Sequence, residues 1–295
     1  MEGQKIKIAN EEYTLLPSDS VMPGKARVGC QGVAGAYSQQ AASKMFPQAS
    51  PLFFRTFEGV IEAVKGGMID FGILPLENNS YGSVRGVYAA LKDSGLNVVR
   101  AERLLIRHEL LVKPGVSFEE ITSIRSHEQA LGQCGRFVHE MEKKVPVIPV
   151  LNTAVAARFV AESDERGAAA IASPQAAEKY GLSCVRERVS DTDNNYTRFA
   201  AVTRDKAIYP GANRMSMILT AAHRPGSLAG ILDIFAKAGI NLLKLESCPI
   251  PGRDFEFLFY TDIASSAADP KAREAIDAVT RLCASFTFLG NYIEG

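Results

Sequence analysis

The 295-residue chain lacks most of the signatures by which a sequence declares its chemistry. It has no Gly-Lys-Ser/Thr phosphate loop, and Gly29, Gly32 and Gly35 are spaced GxxGxxG rather than GxGxxG, so neither a P-loop nor a dinucleotide-binding fold is expected. Its five cysteines, Cys30, Cys134, Cys184, Cys248 and Cys283, are odd in number, scattered and without a CxxC pair. That spacing argues against a zinc finger or a disulfide framework and reads as reduced, buried small hydrophobes. Net charge is missing too: 33 basic residues balance 33 acidic ones, leaving no overall field for nucleic acid or an anionic membrane. No apolar run approaches the roughly 18 residues of a membrane span, and the first residues hold no continuous apolar signal core. The sequons Asn78-Asn79-Ser80 and Asn195-Tyr196-Thr197 are set aside for want of a secretory route. A soluble, cytoplasmic protein is expected, without metal, cofactor, nucleic acid or membrane.

What is present is a globular composition, 46% apolar and 22% charged, long enough for two or three domains with real cores. Residues 1–26, broken by Pro17, Pro23 and Gly24, read as an arm or linker remnant. From Ala26 onward short apolar strands alternate with amphipathic helices, which predicts a wound α/β architecture with parallel strands. The strands of the first lobe are expected at Ala26–Cys30, Phe71–Leu76 and Asn97–Ala101, and a longer strand, Leu104–Val112, carries the chain into a second lobe. There, one helix over Glu128–Met141 and another over Thr153–Glu162 alternate with strands, and residues 191–204 return the chain to the first lobe. The boundaries expected are residues 27–205 for the two-lobed region, with lobe 1 at about 27–102 and 190–205 and lobe 2 at about 103–189. Two crossings between lobes imply a cleft, where open α/β sheets bind ligands. After Tyr209-Pro210-Gly211 the order becomes βαββαβ over residues 213–295, a ferredoxin-like arrangement suited to binding or pairing.

With so few reactive groups elsewhere, the hydroxyl of Thr197, delivered by the polar run 191–197 to the mouth of an apolar strand, is the first candidate for chemistry. Four polar segments fall at strand ends or helix starts: Gly32–Ser38, Glu77–Ser83, Ser126–Gln129 with Gln133 beyond it, and Asn195–Thr197. Helix N-terminal amides with hydroxyl and carboxamide side chains suit small carboxylates. Pattern alone leaves each with a structural alternative: a βα turn with a Ser cap, a turn with a capping carboxamide at Asn78, an orienting role for His127, a solvated Gln133, a plain strand Thr197. A Ser126–His127–Asp191 triad is disfavoured, because adjacent side chains diverge.

Together the segments are distinctive. Gly32-x-x-Gly35-x-Tyr37-Ser38-x-x-Ala41-Ala42, Pro75-Leu76-Glu77-Asn78 with Gly82-Ser83-Val84, Ser126-His127-x-Gln129-Ala130-Leu131-x-Gln133-Cys134 and Asn195-x-Thr197-Arg198-Phe199 resemble, in order, the motifs of prephenate dehydratases. Gly226-x-Leu228, Gly239-Ile240-Asn241-Leu242 and Leu245-Glu246-Ser247-x-Pro249 resemble that family's ACT regulatory domain, so the resemblance spans residues 27–292. It implies a two-lobed fold like periplasmic binding proteins followed by the ACT domain, and conversion of prephenate to phenylpyruvate with loss of CO2 and water. It implies further that Thr197 is the donor to the departing ring hydroxyl, that Asn78, Ser126 and Gln133 act with it, and that Glu77, Ser38, Tyr37, Gln129, Gly82 and Ser83 help to bind substrate.

For the ACT domain the resemblance implies phenylalanine as effector, held by Gly226, Ser227, Leu228, Asn241, Leu242, Glu246 and Ser247 between paired copies of a homo-dimer or homo-tetramer. Four positions depart from the family pattern: Asn79 for Ser or Thr, Glu128 for Pro, Ser227 for Ala, and Cys248 for the Arg of Glu-Ser-Arg-Pro. The last removes a guanidinium fork that could orient carboxylates. Two other readings stay open at this point: an arogenate dehydratase, and a non-catalytic two-lobed amino-acid sensor.

Overall fold

A computed structural model of the chain describes residues 3–250, 252 and 256–295. The second lobe is a five-stranded sheet in the order Val147–Val150, Ser123–His127, Ala168–Ala172, Glu109–Val112, Ser183–Arg186. Its central strand is a run of Ala168, Ala169, Ala170, Ile171 and Ala172, all fully buried, which lets helix Thr153–Glu162 pack closely over it. Asn152 caps that helix by accepting from Val155 N at 2.8 Å, and Ser173 caps Pro174–Tyr180, both as the residue types predict.

The first lobe and the ACT domain share one ten-stranded sheet. Its path runs Asn241–Pro249, Phe257–Ala264, Arg214–Ala221, Cys283–Glu294, Asn97–Leu105, Tyr196–Thr203, Phe71–Asn78, Val28–Gln31, Leu52–Phe54, and the tenth strand, Gly82–Ser83, pairs with the end of Phe71–Asn78. The join is made by the last strand, whose Ile293 and Glu294 pair in parallel with Arg100 and Ala101 after it has completed the ACT sheet against Arg214–Ala221. Gly290 permits this approach: at φ +142° its Cα faces Val98 O so closely that an added β-carbon would lie 2.2 Å from that oxygen. One apolar core consequently runs through both units, with Val60, Leu76, Val98 and Val202 of the lobe packed in the same cluster as Ile218, Tyr260, Leu289 and Tyr292.

Several expectations are corrected: the sheets are mixed and not wholly parallel, because the crossing strands Tyr196–Thr203 and Glu109–Val112 run antiparallel to both of their neighbours. The arm at 1–26 contains a β-hairpin, Gln4–Ile8 and Glu11–Leu15, with Ala9 and Asn10 at positive φ in its turn. The hairpin adds Ala207–Ile208 as a third strand and buries Ile6, Ile8 and Tyr13 in the ACT core. The single strand over Leu104–Val112 is two strands broken at residues 106–108, where the chain crosses between lobes. The helix over Glu128–Met141 is interrupted at Cys134 (φ −113°), between Gly132 and Gly135, whose low helical propensity weakens that turn. Among the described residues no helix is long and apolar enough to cross a membrane, and no group of three or more His, Cys, Asp and Glu is placed to hold a metal.

Candidate active site

The first catalytic candidates meet through strand register. Thr197 pairs directly with Asn78 across antiparallel strands, so their side chains rise from the same face. Asn78 is 5% exposed, and its Nδ2 donates to Thr197 Oγ1 at 3.0 Å and to Asn195 Oδ1 at 2.7 Å. Its Oδ1 accepts from Ser80 N and Tyr81 N, so one carboxamide both shapes the following turn and fixes the threonine. Because Oγ1 is the acceptor in that bond, the hydroxyl proton of Thr197 remains available to donate into the cleft. Asn79 completes the frame through both carboxamide atoms: Nδ2 donates to Asn194 O and Oδ1 accepts from Tyr196 N. The departure from Ser or Thr at position 79 thus stitches the strand ends together.

The opposite wall is built by the second lobe. Gln133, ending the short helix Glu128–Gln133, is 8% exposed and its Oε1 lies 2.7 Å from His108 Nε2. His108 is buried in the crossing, edge-on to the Tyr37 ring, and its Nδ1 has no partner. Burial lowers its pKa, only partly opposed by the bond to Gln133, so the imidazole is neutral and donates through Nε2. Tyr37 Oη is bound at Arg107, donating to its carbonyl and accepting from its N–H. A cavity of about 140 Å3 opens beside His108, lined by Arg107, Arg188, Ser190 and Thr192 from the two crossings, and Ser190 Oγ is buried without a partner. Tyr81 reaches over from the Asn78 turn: a β-carbon on Gly132 would stand 2.7 Å from its hydroxyl. The groups brought near the crossings are therefore a hydroxyl and carboxamides on the first-lobe strands and, linked to them through Tyr81, a carboxamide and an imidazole of the second lobe and the crossing, with Arg107 and Arg188 lining the cavity beside the imidazole.

Other predicted residues stand elsewhere. Ser126 is fully buried and donates to Ile171 O at 2.6 Å. His127 caps its own helix by accepting from Gln129 N, leaving the Gln129 side chain exposed. Asp191 accepts from Arg136 N at the next helix, so Ser126, His127 and Asp191 form no triad. Ser38 is buried in the first turn of Tyr37–Met45, and the loop before that helix joins the lobes, with Tyr180 Oη donating to Ala34 O. Glu77 and Ser83 turn away from Thr197 toward the ACT domain, where Lys244 donates to both and Ser83 donates to Glu246. Gly82, the register partner of Asn78, takes φ +78° in that hairpin. His108, Asn195 and Tyr81 carry no role in the sequence reading. Asn195 lies within a recognised motif, whereas His108 and Tyr81 become relevant only through tertiary contacts.

In the ACT domain, Gly226 (φ +81°) starts helix Ser227–Lys237 with no side-chain cap, and Ser227 Oγ is buried without a partner. Ser227 and Leu228 line a cavity of about 310 Å3 with His223, Arg224 and Phe257. Asn241, Leu242, Glu246 and Ser247 lie on the strand Asn241–Pro249, at the edge of the sheet. Glu246 lines a different cavity, of about 630 Å3, shared with Glu77, Asn78 and Arg103.

The family model for prephenate dehydratase matches residues 28–207, and that for the ACT domain matches 216–281. The chain belongs to the prephenate dehydratase family. Among its relatives, the arogenate dehydratase/prephenate dehydratase 2 of Arabidopsis thaliana is 34% identical over 99% of this chain and 81% of its own length. The bifunctional chorismate mutase/prephenate dehydratase of Neisseria gonorrhoeae is 33% identical over 88% of this chain and 72% of its own. A prephenate dehydratase from Arthrobacter aurescens, solved in complex with L-Phe, superposes with a TM-score of 0.81 at 27% identity, covering 90% of this chain and 89% of that one. A protein described as a novel type of quorum quenching acylase, GqqA, superposes with a TM-score of 0.80 at 30% identity, covering 91% and 98%. The prephenate dehydratase fold thus accounts for both lobes and the ACT domain.

Proposed function

We propose that the chain is a prephenate dehydratase of phenylalanine biosynthesis, regulated by phenylalanine through its ACT domain. The observation that carries the reading is the Asn78–Thr197 bond, in which Oγ1 is the acceptor and the threonine proton is left free to donate. In the reaction the bond from the ring to the departing carboxylate breaks and its electron pair aromatises the ring. The carbon–oxygen bond at the far side breaks with it, the leaving hydroxide takes the Thr197 proton to become water, and the Thr197 oxygen regains a proton from solvent before the next turnover. Aromatisation supplies the driving force, so the protein has to orient the dianion and assist departure of the hydroxide. Asn78 assists by donating to Oγ1, which stabilises negative charge developing there. Arg107, Arg188 and the Gln133–His108 pair suit the carboxylates.

Amide hydrolysis, suggested by the likeness to the acylase, fits these residues less well. A threonine nucleophile needs an adjacent base, and among the described residues the side chain bonded to Thr197 Oγ1 is the neutral amide of Asn78. Arogenate is the second substrate to consider, because several relatives are named arogenate dehydratases. Pairing through the ACT domains is part of the proposal: the expected phenylalanine-binding segments line separate cavities in one chain, and the edge strand exposes Leu243 and Leu245. The test is incubation with prephenate or arogenate and ultraviolet detection of product, with and without phenylalanine. Phenylpyruvate formation that phenylalanine suppresses is expected; no product from either substrate contradicts the reading.

A further inference from the structure

The junction between the catalytic lobe and the ACT domain holds a group of charges that no step of the reaction uses. Lys244 lies at its centre, on the ACT edge strand two residues before Glu246 and on the same face as it, since side chains in a strand alternate, while a bulge after Leu242 leaves that residue against the ACT core on the other face. Its side chain is 11% exposed. Its ammonium donates to Glu77 and Ser83, lies 3.4 Å from Glu246 and sits over the Tyr88 ring. Every contact but Glu246 belongs to the catalytic lobe.

Those contacts lead directly to the reacting group. Glu77 precedes Asn78 on one strand, and Ser83 is its partner across the hairpin, with Asn78 opposite Gly82. The turn between them, residues 79–81, is held by the Asn78 carboxamide, which also holds Thr197. A shift of the ACT edge strand therefore pulls on the hairpin whose geometry places Asn78, and with it Thr197 and Tyr81. A second tie stays fixed meanwhile: Arg198, next to Thr197, lies 2.9 Å from Glu77 and 2.7 Å from the buried Asp262 of the ACT domain.

We propose that Lys244 transmits ligand occupancy of the ACT domain to the catalytic turn, by gripping the Glu77–Ser83 hairpin from the strand that carries the ligand motif. The proposal rests on the reading of the ACT domain as a phenylalanine site. Allosteric coupling requires a contact that differs between two states, and Lys244 is suited to it: if it lets go, Glu77 stays neutralised by Arg198 and the basal site persists. Arg198 is unsuited to be the moving part, because releasing it would take the nearest cation from the buried Asp262 carboxylate.

Lys244→Met in the full chain, which keeps the aliphatic stem and removes the charge, separates the possibilities. Turnover of prephenate without phenylalanine and phenylalanine binding by calorimetry are expected to stay near wild type, while the phenylalanine concentration for half-inhibition rises by about tenfold or more. Lys244→Arg, which keeps the charge, is expected to remain inhibited. Equal inhibition of Lys244→Met and wild type overturns the proposal, as does loss of basal turnover in Lys244→Met, which would make the lysine a structural strut. A wild-type chain that neither binds phenylalanine nor is inhibited by it instead overturns the regulatory reading itself, and the relay with it.

Discussion

Replacing Arg198 by Met tests whether the catalytic lobe and the ACT domain form one folded unit. The guanidinium is 2% exposed and supplies Asp262 at 2.7 Å, Tyr292 Oη at 2.9 Å, Tyr88 Oη at 3.4 Å and Glu77 at 2.9 Å. Asp262, 1% exposed, would keep the Ser216 hydroxyl and Arg214, whose Nε is 3.4 Å away. Glu77 is more exposed and would keep Lys244, so its loss adds only about 0–1 kcal/mol. Leaving that buried carboxylate with Arg214 as its one cation costs up to about 3–5 kcal/mol, a large share of the roughly 5–15 kcal/mol that stabilises a typical domain. The chain has no tryptophan, so urea unfolding followed by circular dichroism is the suitable assay. Arg198→Met with Asp262→Leu removes both charges together and is expected to recover about 2–3 kcal/mol relative to the sum of the single variants. Additivity within about 0.5 kcal/mol would refute the account of the junction.

Two further outcomes follow from the site. Asn78→Ala removes the donor to Thr197 Oγ1 and is expected to lower kcat by about 100- to 1,000-fold with a much smaller change in KM, read from phenylpyruvate absorbance. His108 has a pKa held below the ordinary 6.5 by burial, so the unfolded chain binds its proton more tightly than the folded one. Its contribution to stability is full above pH 6.5 and is lost as pH falls from there through the lower folded value, so the melting temperature of wild type should fall more steeply with acid than that of His108→Gln.

The parts of the site legible in the sequence were those carried by local pattern. Asn78 and Thr197 lie at the ends of apolar strands with polar runs beside them, and the pairing of those strands brings the two side chains together. Helix Thr153–Glu162 announced itself through Asn152 and its apolar period, and the ACT elements through their alternation. What was hidden depends on partners distant in the chain. Nothing near Arg198 names Asp262, 64 residues away, as its counter-charge, and Glu77 reads as a substrate ligand until Lys244 is placed beside it. The hairpin at Gln4–Leu15 was obscured by its mixed composition, because only Ile6, Ile8 and Tyr13 face a core, and that core belongs to residues more than 190 positions later. His108 is hidden for a related reason: it follows a charged Arg107 in what reads as a continuous strand, and only the break at 106–108 turns its ring toward Gln133.

The central claim is that the Thr197 hydroxyl delivers the proton to the leaving group. Its most direct test compares Thr197→Val with wild type in single-turnover reactions on prephenate, together with binding measured by calorimetry. Valine keeps the branched strand shape and removes only the donor, so the account predicts binding close to wild type and a rate of phenylpyruvate formation lower by about 100-fold or more. A Thr197→Val enzyme that turns prephenate over at nearly the wild-type rate would contradict it.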